Sequence, residues 1–299
     1  NGYDASNNVD KKDYNNDNFI NTAFTMGERS AIQYSWVVND DNPTYGTEGG
    51  NSTADEVYLL SIEEASNVAY GFDSKFDGSS ATREMRATEY AVQRGAGSYT
   101  VTGYAGNNTW WLRSPGSDSS DASVVRYDGW LNCYCVKHSI VPVRPVLHLN
   151  LSYSNLWSYA GRVSSDKQEN IHDPQVAGDG TVTWDCVYFG NYLQEDTNGD
   201  GTVNSSDTKQ PIKWRVLSVD GDDAFLMADQ NLDCAAYNET DIDVTWETCT
   251  LRSWLNGYTS SSNAAGLSYS SDNFINTAFT TEEKSAIYLS RVENKDNPQ

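Results

Sequence analysis

The same stretch of sequence occurs near both ends of the chain, and it constrains the fold more than any other feature. Residues 17–24 and residues 272–279 both read DNFINTAF. When the chain is shifted by 255 residues, residues 1–44 align with residues 256–299 without a gap, and 25 of the 44 positions are identical. A repeat of this length indicates a tandem unit of about 255 residues.

The repeat offset divides the chain into parts of two successive units. We interpret residues 1–163 as the C-terminal part of one unit, residues 164–180 as a linker, and residues 181–299 as the N-terminal part of the next unit. A complete unit would start near Gly180 and end near Gly161 of the following copy. We therefore expect a window from a tandem array, in which each half completes a neighbouring copy and the two repeated segments pack against different partners. The alternative is that both halves fold on each other within one chain, as in a circular permutant.

Apolar patterning predicts an α+β fold with a mostly antiparallel sheet and short helices. Alternating β-branched and aromatic residues predict strands at residues 182–192, 212–219 and 224–228. Apolar stripes at i, i+3 and i+4 predict helices at residues 250–255 and 272–279. Further strands are expected at residues 57–61, 110–113, 122–127, 131–136 and 141–149, and further helices at residues 18–24, 27–32, 62–68 and 87–94. Pro142 and Pro145 place the strand at 141–149 at an edge or interrupt it.

Charge and composition limit the classes of partner. Forty-two acidic residues against twenty basic ones give a net charge of −22, which argues against nucleic acid or an anionic membrane as the ligand. No apolar run approaches the roughly 18 residues of a membrane-spanning helix. The polar residues are mainly Asn, Ser, Thr, Asp and Gly, which favours a secreted, loop-rich protein. For Cys234 and Cys249, a disulfide and two buried free thiols both stay open.

One loop has the residue pattern of a calcium site. Residues 196–207 read DTNGDGTVNSSD, which places oxygen donors at the spacing that wraps a loop around Ca²⁺. Gly201 would allow the sharp turn, and Val203 would anchor the loop on the core. The pattern resembles the first half of a dockerin or an EF-hand loop, but it ends in Asp rather than Glu and lacks flanking helices. The expected metal ligands are Asp196, Asn198, Asp200, the carbonyl of Thr202, Asn204 through water, and Asp207. The alternative is an Asx-rich loop without an ion.

Several motifs carry a family resemblance. They are WWLRSPG at residues 110–116, VPVRPVLHLNLS at 141–152, LWSYAG at 156–161, IKWRVLSV at 212–219 and VTWETCTLRSWLNGY at 244–258. Together they resemble a family of uncharacterised extracellular domains from Gram-positive gut bacteria. The resemblance implies a secreted or wall-attached protein at the bacterial cell surface and no established activity. The Trp-rich strand, the Arg-Ser-Pro-Gly turn and the Val-Arg-Pro strand are also similar to the end of C-type-lectin-like domains.

The residues contain no recognisable catalytic motif, and we expect no enzymatic activity. Cys133, Cys135 and His138 lack a further ligand for a zinc site. Arg113 and Arg144 are expected to be partly buried and paired with acids.

The leading functional hypothesis is a calcium-stabilised structural or adhesive repeat module of an extracellular bacterial fibre or surface protein, with neighbouring copies of itself as partners. The alternative is a C-type-lectin-like module that binds a glycan or a host protein through exposed aromatic residues, with Trp130, Tyr134 and Trp157 as candidates.

Overall fold

One large, mostly antiparallel sheet organises the molecule. The computed structural model describes residues 19–24, 26–163 and 171–292. Within these residues the strand order of the large sheet is β10-β11-β12-β13-β8-β1-β15-β2, with β3 beside β8 and β9 beside β11. Its strands are β1 (Ile32–Val37), β2 (Thr53–Asp55), β3 (Val57–Tyr58), β8 (Val146–Asn150), β9 (Ser158–Val163), β10 (Gln175–Val176), β11 (Val182–Tyr192), β12 (Gln210–Asp220), β13 (Asp223–Ala228) and β15 (Tyr288–Val292).

Two smaller sheets and short helices complete the described fold. The three-stranded sheet contains β4 (Trp110–Pro115), β5 (Asp121–Val125) and β6 (Leu131–Cys135), and a two-stranded sheet pairs β7 (Pro142–Val143) with β14 (Asp233–Cys234). The α-helices are α1 (Phe19–Thr22), α2 (Met26–Ala31), α3 (Glu89–Gln93), α4 (Thr250–Asn256) and α5 (Phe274–Ala278). Short 3-10 helices cover Glu64–Ser66, Val68–Tyr70, Trp246–Thr248 and Ser260–Ser262.

The two halves of the chain meet in the middle of the large sheet. Strand β8 from the first half pairs with β13 from the second, with Leu149 opposite Ala224 and Val146 opposite Met227. The side chains of these four residues are buried in one apolar core that draws on both halves. The halves therefore fold on each other within the chain, as in a circular permutant, and the expectation that each half completes a neighbouring copy is wrong for the described residues.

Most predicted elements appear where the pattern placed them. The strands at residues 182–192 and 210–220 and the helix at residues 250–256 match their predictions closely. The predicted strand at residues 141–149 is interrupted between β7 and β8, as its prolines require.

Residues 152–180, for which the sequence predicted no strand, contain two strands in the described part. Strand β9 forms an antiparallel pair with β11, with Gly161 opposite Cys186. Residues 164–170 of the predicted linker lie outside the described residues, and residues 175–176 form β10 beside β11. None of the helices in the described part of the chain is long and apolar enough to cross a membrane.

Candidate functional site

The two copies of the repeated segment contact the same aromatic side chains, Tyr192, Trp254 and Phe189, which we call the wall. In the first copy, the ring of Phe19 lies 5.8 Å from that of Tyr192 and 5.9 Å from that of Trp254. Its counterpart in the second copy, Phe274, lies 5.0 Å from Tyr192 and 5.8 Å from Trp254. The rings of Phe19 and Phe274 are stacked on one position. We use the name shared site for this ring position, for the position of the second phenylalanine of each copy, and for the place in the sheet of the strand that follows it.

A second phenylalanine repeats the pattern. Phe24 of the first copy and Phe279 of the second coincide, and their rings lie 4.6 and 5.2 Å from the ring of Phe189. Gly190 lies beside them with φ of 69°, and a Cβ at this residue would collide with the Phe279 ring. Glycine is therefore required here both for the backbone conformation and for space.

The strands of the two copies, β1 and β15, pair with each other in parallel and also share neighbours. Ser35 in β1 and Ser290 in β15 both pair with Asp55 of β2. At the other edge, Ile32 and Ile287 both pair with Leu149 of β8. All these counterparts are 255 residues apart, so each copy offers the same residue to the same neighbour.

Basic residues of the two copies are also brought together. Arg29 donates from Nη2 to Oδ1 of Asn276 at 2.7 Å, and its counterpart Lys284 donates to the same oxygen. Burial lowers the pKa of Lys284 to about 4, and the neighbouring Arg29 charge adds to the lowering. Burial raises the pKa of the Glu56 carboxyl to about 7, although Arg29 and Lys284 oppose the rise. One cation beside Glu56 is favourable, whereas two like charges in the same buried space are not.

The shared site therefore has room for one copy at a time. Two rings cannot fill one volume, and packed protein interiors tolerate little excess. The expectation that the two copies pack against different partners is wrong for the described residues, because equivalent residues contact the same wall. As predicted, the described parts of the copies are similar, with α1 matching α5 and β1 matching β15, although α2 corresponds to turns around residues 281–285 in the second copy.

In the described residues, an asparagine anchors the second copy near its start and another anchors the first copy near its end. Asn256, near the start of the second copy, accepts from the backbone N–H of Val57 at 3.1 Å and donates to its carbonyl oxygen at 2.8 Å. Asn42, near the end of the first copy, donates to the Pro115 carbonyl oxygen at 2.7 Å and accepts from the N–H of Thr44. Both asparagines lie in triplets that are identical in the two copies, NGY and DNP. Sequence reasoning missed these anchors, although the retained triplets are a signal that could have found them.

A buried carboxylate fixes β2 against α4, the helix that carries Trp254 of the wall. Asp55 has no exposed surface and accepts from Arg252 Nε at 2.9 and 3.0 Å. It also accepts from Trp246 Nε1 at 3.0 Å, from the Tyr258 hydroxyl at 3.1 Å and from the Thr53 hydroxyl at 2.7 Å. This number of donors satisfies the buried charge, so Asp55 ties β2 to the region around α4.

The predicted metal loop is a series of tight turns. Asp196 accepts from the N–H of Gly199 at 2.6 Å and of Gly201 at 2.7 Å, and Asp200 accepts from Thr202 at 2.8 Å. Asn198 accepts from the N–H of Asp200 at 2.8 Å. No group of three or more His, Cys, Asp or Glu side chains within the described ranges is arranged as a metal site.

The end of the loop folds back onto its beginning. Asp207 accepts from the backbone N–H groups of Asn204, Thr197 and Asn198 at 2.8, 2.9 and 3.1 Å. The Asn204 bond is the main cause of the lowered pKa of the Asp207 carboxyl, which is therefore charged at neutral pH. Val203 is buried, as predicted, and its N–H donates to Gln93 of α3 at 2.7 Å. The oxygens suit Ca²⁺ chemically, and the aspartates would have to turn toward one another to bind it.

The two predicted buried arginines differ. Arg113 forms the expected ion pair, with both terminal nitrogens on the Glu64 carboxylate. Arg144 is fully buried but contacts no acid within the described residues: its Nε donates to the Ala228 carbonyl oxygen at 3.0 Å, and its guanidinium lies 4.9 Å from the Trp110 ring centre.

The prediction of an acid partner for Arg144 is therefore wrong. Asp229 is already bound by Arg215 at 2.6 Å and by Lys213 at 3.6 Å, so its charge is shared with closer bases. Burial, followed by the Arg215 charge, lowers the pKa of Arg144 well below its usual range.

Exposed aromatic residues converge on one small cleft. Tyr45, Phe76 and Trp130 are 59%, 40% and 38% exposed, and all three line a cleft of about 170 Å³. Asp77 and Asn132 add polar groups to the same cleft. Of the three aromatics expected to bind a ligand, only Trp130 lies here; Tyr134 and Trp157 pack against the core.

No disulfide joins any of the cysteines within the described residues. Cys234 and Cys249 are buried, and burial raises the pKa of both thiols to about 12. Of the two possibilities that the sequence left open for this pair, the structure has the free thiols. Such thiols behave as small apolar side chains rather than as nucleophiles.

Comparison with known proteins gives a family but no activity. Neither a curated protein nor a solved structure matches the chain. A family model described as a domain of unknown function, DUF6273, matches residues 2–151 and 221–299, which is well over half of the chain. Both copies of the repeated segment lie almost entirely within the matched ranges. The chain therefore belongs to the DUF6273 family of domains of unknown function.

Proposed function

We propose that the protein is a structural or adhesive repeat module of an extracellular bacterial surface or fibre protein. The observation that carries this proposal is the shared site, which accepts either copy of a segment that recurs every 255 residues. A module whose closing segment is interchangeable between successive copies is suited to repetition along a chain. Repeat proteins of this kind gain length and stability from nearest-neighbour contacts.

The anchors indicate how one unit is built. A single segment that runs from an asparagine such as Asn256 to one such as Asn42 would contact Val57 at its start and Pro115 at its end. In a repeating chain, one copy therefore bridges the opening strands and the closing strands of its own unit. The permuted arrangement of the present chain supports this geometry, because both sets of strands fit into one sheet.

Single-molecule stretching tests the structural role. A longer chain in which residues 45–299 are repeated should give one additional unfolding event for each added period. Each event should release on the order of 900 Å of extended chain, since an extended residue spans about 3.5 Å. Added periods that produce no separate unfolding event would contradict the proposal.

Cell-surface labelling tests the proposed location. Antibodies against the chain should label intact cells of the source bacterium, and external protease should remove the label. Labelling that requires permeabilised cells would contradict an extracellular role.

We further propose that Ca²⁺ stabilises the module through residues 196–207. The donors are the side chains of Asp196, Asn198, Asp200 and Asp207, the Thr202 carbonyl, and Asn204 through water. The support is their spacing together with the buried Val203, which fixes the loop on α3. A bound ion would neutralise carboxylates that otherwise repel one another in a chain of net charge −22.

A matched pair of variants tests calcium binding. The tetrapeptide Gly-Asp-Gly-Thr occurs at residues 199–202 and again at 178–181. In both places the aspartate accepts from the N–H two residues ahead, at 2.8 Å for Asp200 and 2.9 Å for Asp179. Calcium at a hundredfold excess over its dissociation constant should stabilise the wild type by about 2.7 kcal/mol.

The melting temperature of each protein is measured in calcium and in chelator. Asp200→Ala should abolish the calcium-dependent rise in melting temperature, whereas Asp179→Ala should preserve it. A wild-type melting temperature that is the same in calcium and in chelator would refute calcium binding.

A second candidate function is glycan binding, and the aromatic cleft favours it. Exposed rings such as Tyr45 and Trp130 can stack on the C–H faces of a sugar, and Asp77 and Asn132 can bind its hydroxyls. The cleft volume of about 170 Å³ suits one sugar residue.

Binding to immobilised oligosaccharides should then be lost in Trp130→Ala and kept in Tyr188→Ala. Tyr188 is a matched control, since it is similarly exposed but lies on β11, outside the cleft. Equal binding by the two variants would exclude the cleft.

A further inference from the structure

We infer that the shared site also accepts the repeated segment of a second copy of this chain. The inference rests on the proposed repeat module. It identifies the partner of the shared site as residues of the repeated segment in another molecule. The described residues contain one shared site, and residues 1–299 carry two segments that fit it. One segment per chain is therefore in surplus and can serve as a donor.

The chemistry of the site identifies the donor. Two phenylalanines five residues apart must reach Tyr192, Trp254 and Phe189. The following strand must then enter between β8 and β2, where backbone pairing adds to the side-chain contacts. Both copies meet these requirements, which is why a copy on another molecule meets them too.

Whether two molecules join depends on competition within each chain. A tethered segment acts at an effective concentration in the millimolar range, so it outcompetes a segment on another molecule when the protein is dilute. A chain with no usable segment of its own has no such competitor. Its site should bind the surplus segment of a wild-type chain.

The experiment uses chains of all 299 residues. The acceptor carries four substitutions, Phe19→Ala, Phe24→Ala, Phe274→Ala and Phe279→Ala, which disable both segments and leave the wall intact. The donor is the wild type. At low micromolar concentration we expect a 1:1 complex by size-exclusion chromatography with light scattering, and we expect the acceptor to become more resistant to thermal unfolding.

A matched donor provides the control. The variant Phe274→Ala with Phe279→Ala retains only the first segment, which fills its own site and leaves no surplus. This donor should bind the acceptor at least tenfold more weakly than the wild type. If the empty acceptor does not fold alone, co-expression with the wild type should rescue it into the complex, whereas co-expression with the one-segment donor should not.

The outcomes separate this inference from the proposed function. Failure of the wild type to bind or rescue the acceptor, or equal binding by both donors, would overturn exchange between molecules. Stretching events for each added period would still support the repeat module in that case. Absence of those events would instead remove the proposed function itself.

Discussion

The first and second copies of the repeated segment share a sequence, and within the described residues their anchoring contacts lie at opposite ends. The second copy follows α4 directly and is held at its start, where Asn256 contacts Val57. The first copy leads into the closing strands and is held at its end, where Asn42 contacts Pro115. Between these anchors the two copies meet the same wall. The comparison shows that the contacts of the segment with the wall depend on its own residues. Its anchoring contacts depend instead on where the segment lies in the chain.

The largest loss in the free energy of unfolding should come from substitution of Asp55, because Asp55 lies outside both copies and neither copy can replace it. Asp55→Ala removes the acceptor of Arg252, Trp246, Tyr258 and Thr53 and leaves the buried Arg252 guanidinium without its carboxylate partner. Loss of one partner of a buried ion pair costs about 3–5 kcal/mol. Urea denaturation should show this decrease in the free energy of unfolding. A decrease below about 1 kcal/mol would mean that Asp55 does not fix β2 against α4.

The anchors should give an intermediate effect that distinguishes the copies. Asn256→Ala leaves the buried backbone groups of Val57 without a partner, which costs about 1–3 kcal/mol. Asn1→Ala, at the corresponding position of the first copy, is the matched control and should have little effect because Asn256 already makes these contacts. The same denaturation measurement applies, and equal losses in the two variants would contradict the difference in anchoring.

A pH effect should follow from Glu56, which faces the basic residue of either copy. Its pKa in the folded chain is about 7, above the value near 4.3 expected when unfolded. Between these values the folded carboxyl retains a proton that the unfolded one has released, so the Glu56 contribution to the free energy of unfolding should fall as pH rises through this window. The lowered pKa of Lys284 acts with the opposite sign in the same pH range, so the slope of the wild type is the sum of both contributions.

Glu56→Gln should remove the Glu56 contribution, so between pH 5 and pH 8 its free energy of unfolding should fall less, or rise more, than that of the wild type. Denaturation at pH 5 and pH 8 compares the two proteins. An unchanged slope in Glu56→Gln would assign the pH dependence to other groups.

The sequence could predict the local helices and strands and the similarity of the two copies. It could not predict that both copies pack at the shared site. DNFINTAF fixes a helical stripe in either copy because its spacing is local information. That both stripes reach Tyr192 and Phe189 depends on how β11 packs against the rest of the sheet, which spacing alone does not encode. The missing acid at Arg144 has a similar cause, since Asp229 is drawn to Arg215 by tertiary contacts. Strand β9 was missed because its pairing with β11 is also a long-range contact.

The most direct test of the shared site is a cycle of phenylalanine variants followed by chemical denaturation. If one site accepts either copy, Phe24→Ala and Phe279→Ala should each cost less than about 1 kcal/mol, because the intact copy takes the place of the altered one. The double variant should lose about 3–5 kcal/mol, the usual cost of removing a buried phenylalanine side chain. Two single losses of that size that simply add in the double variant would show that the copies occupy separate sites.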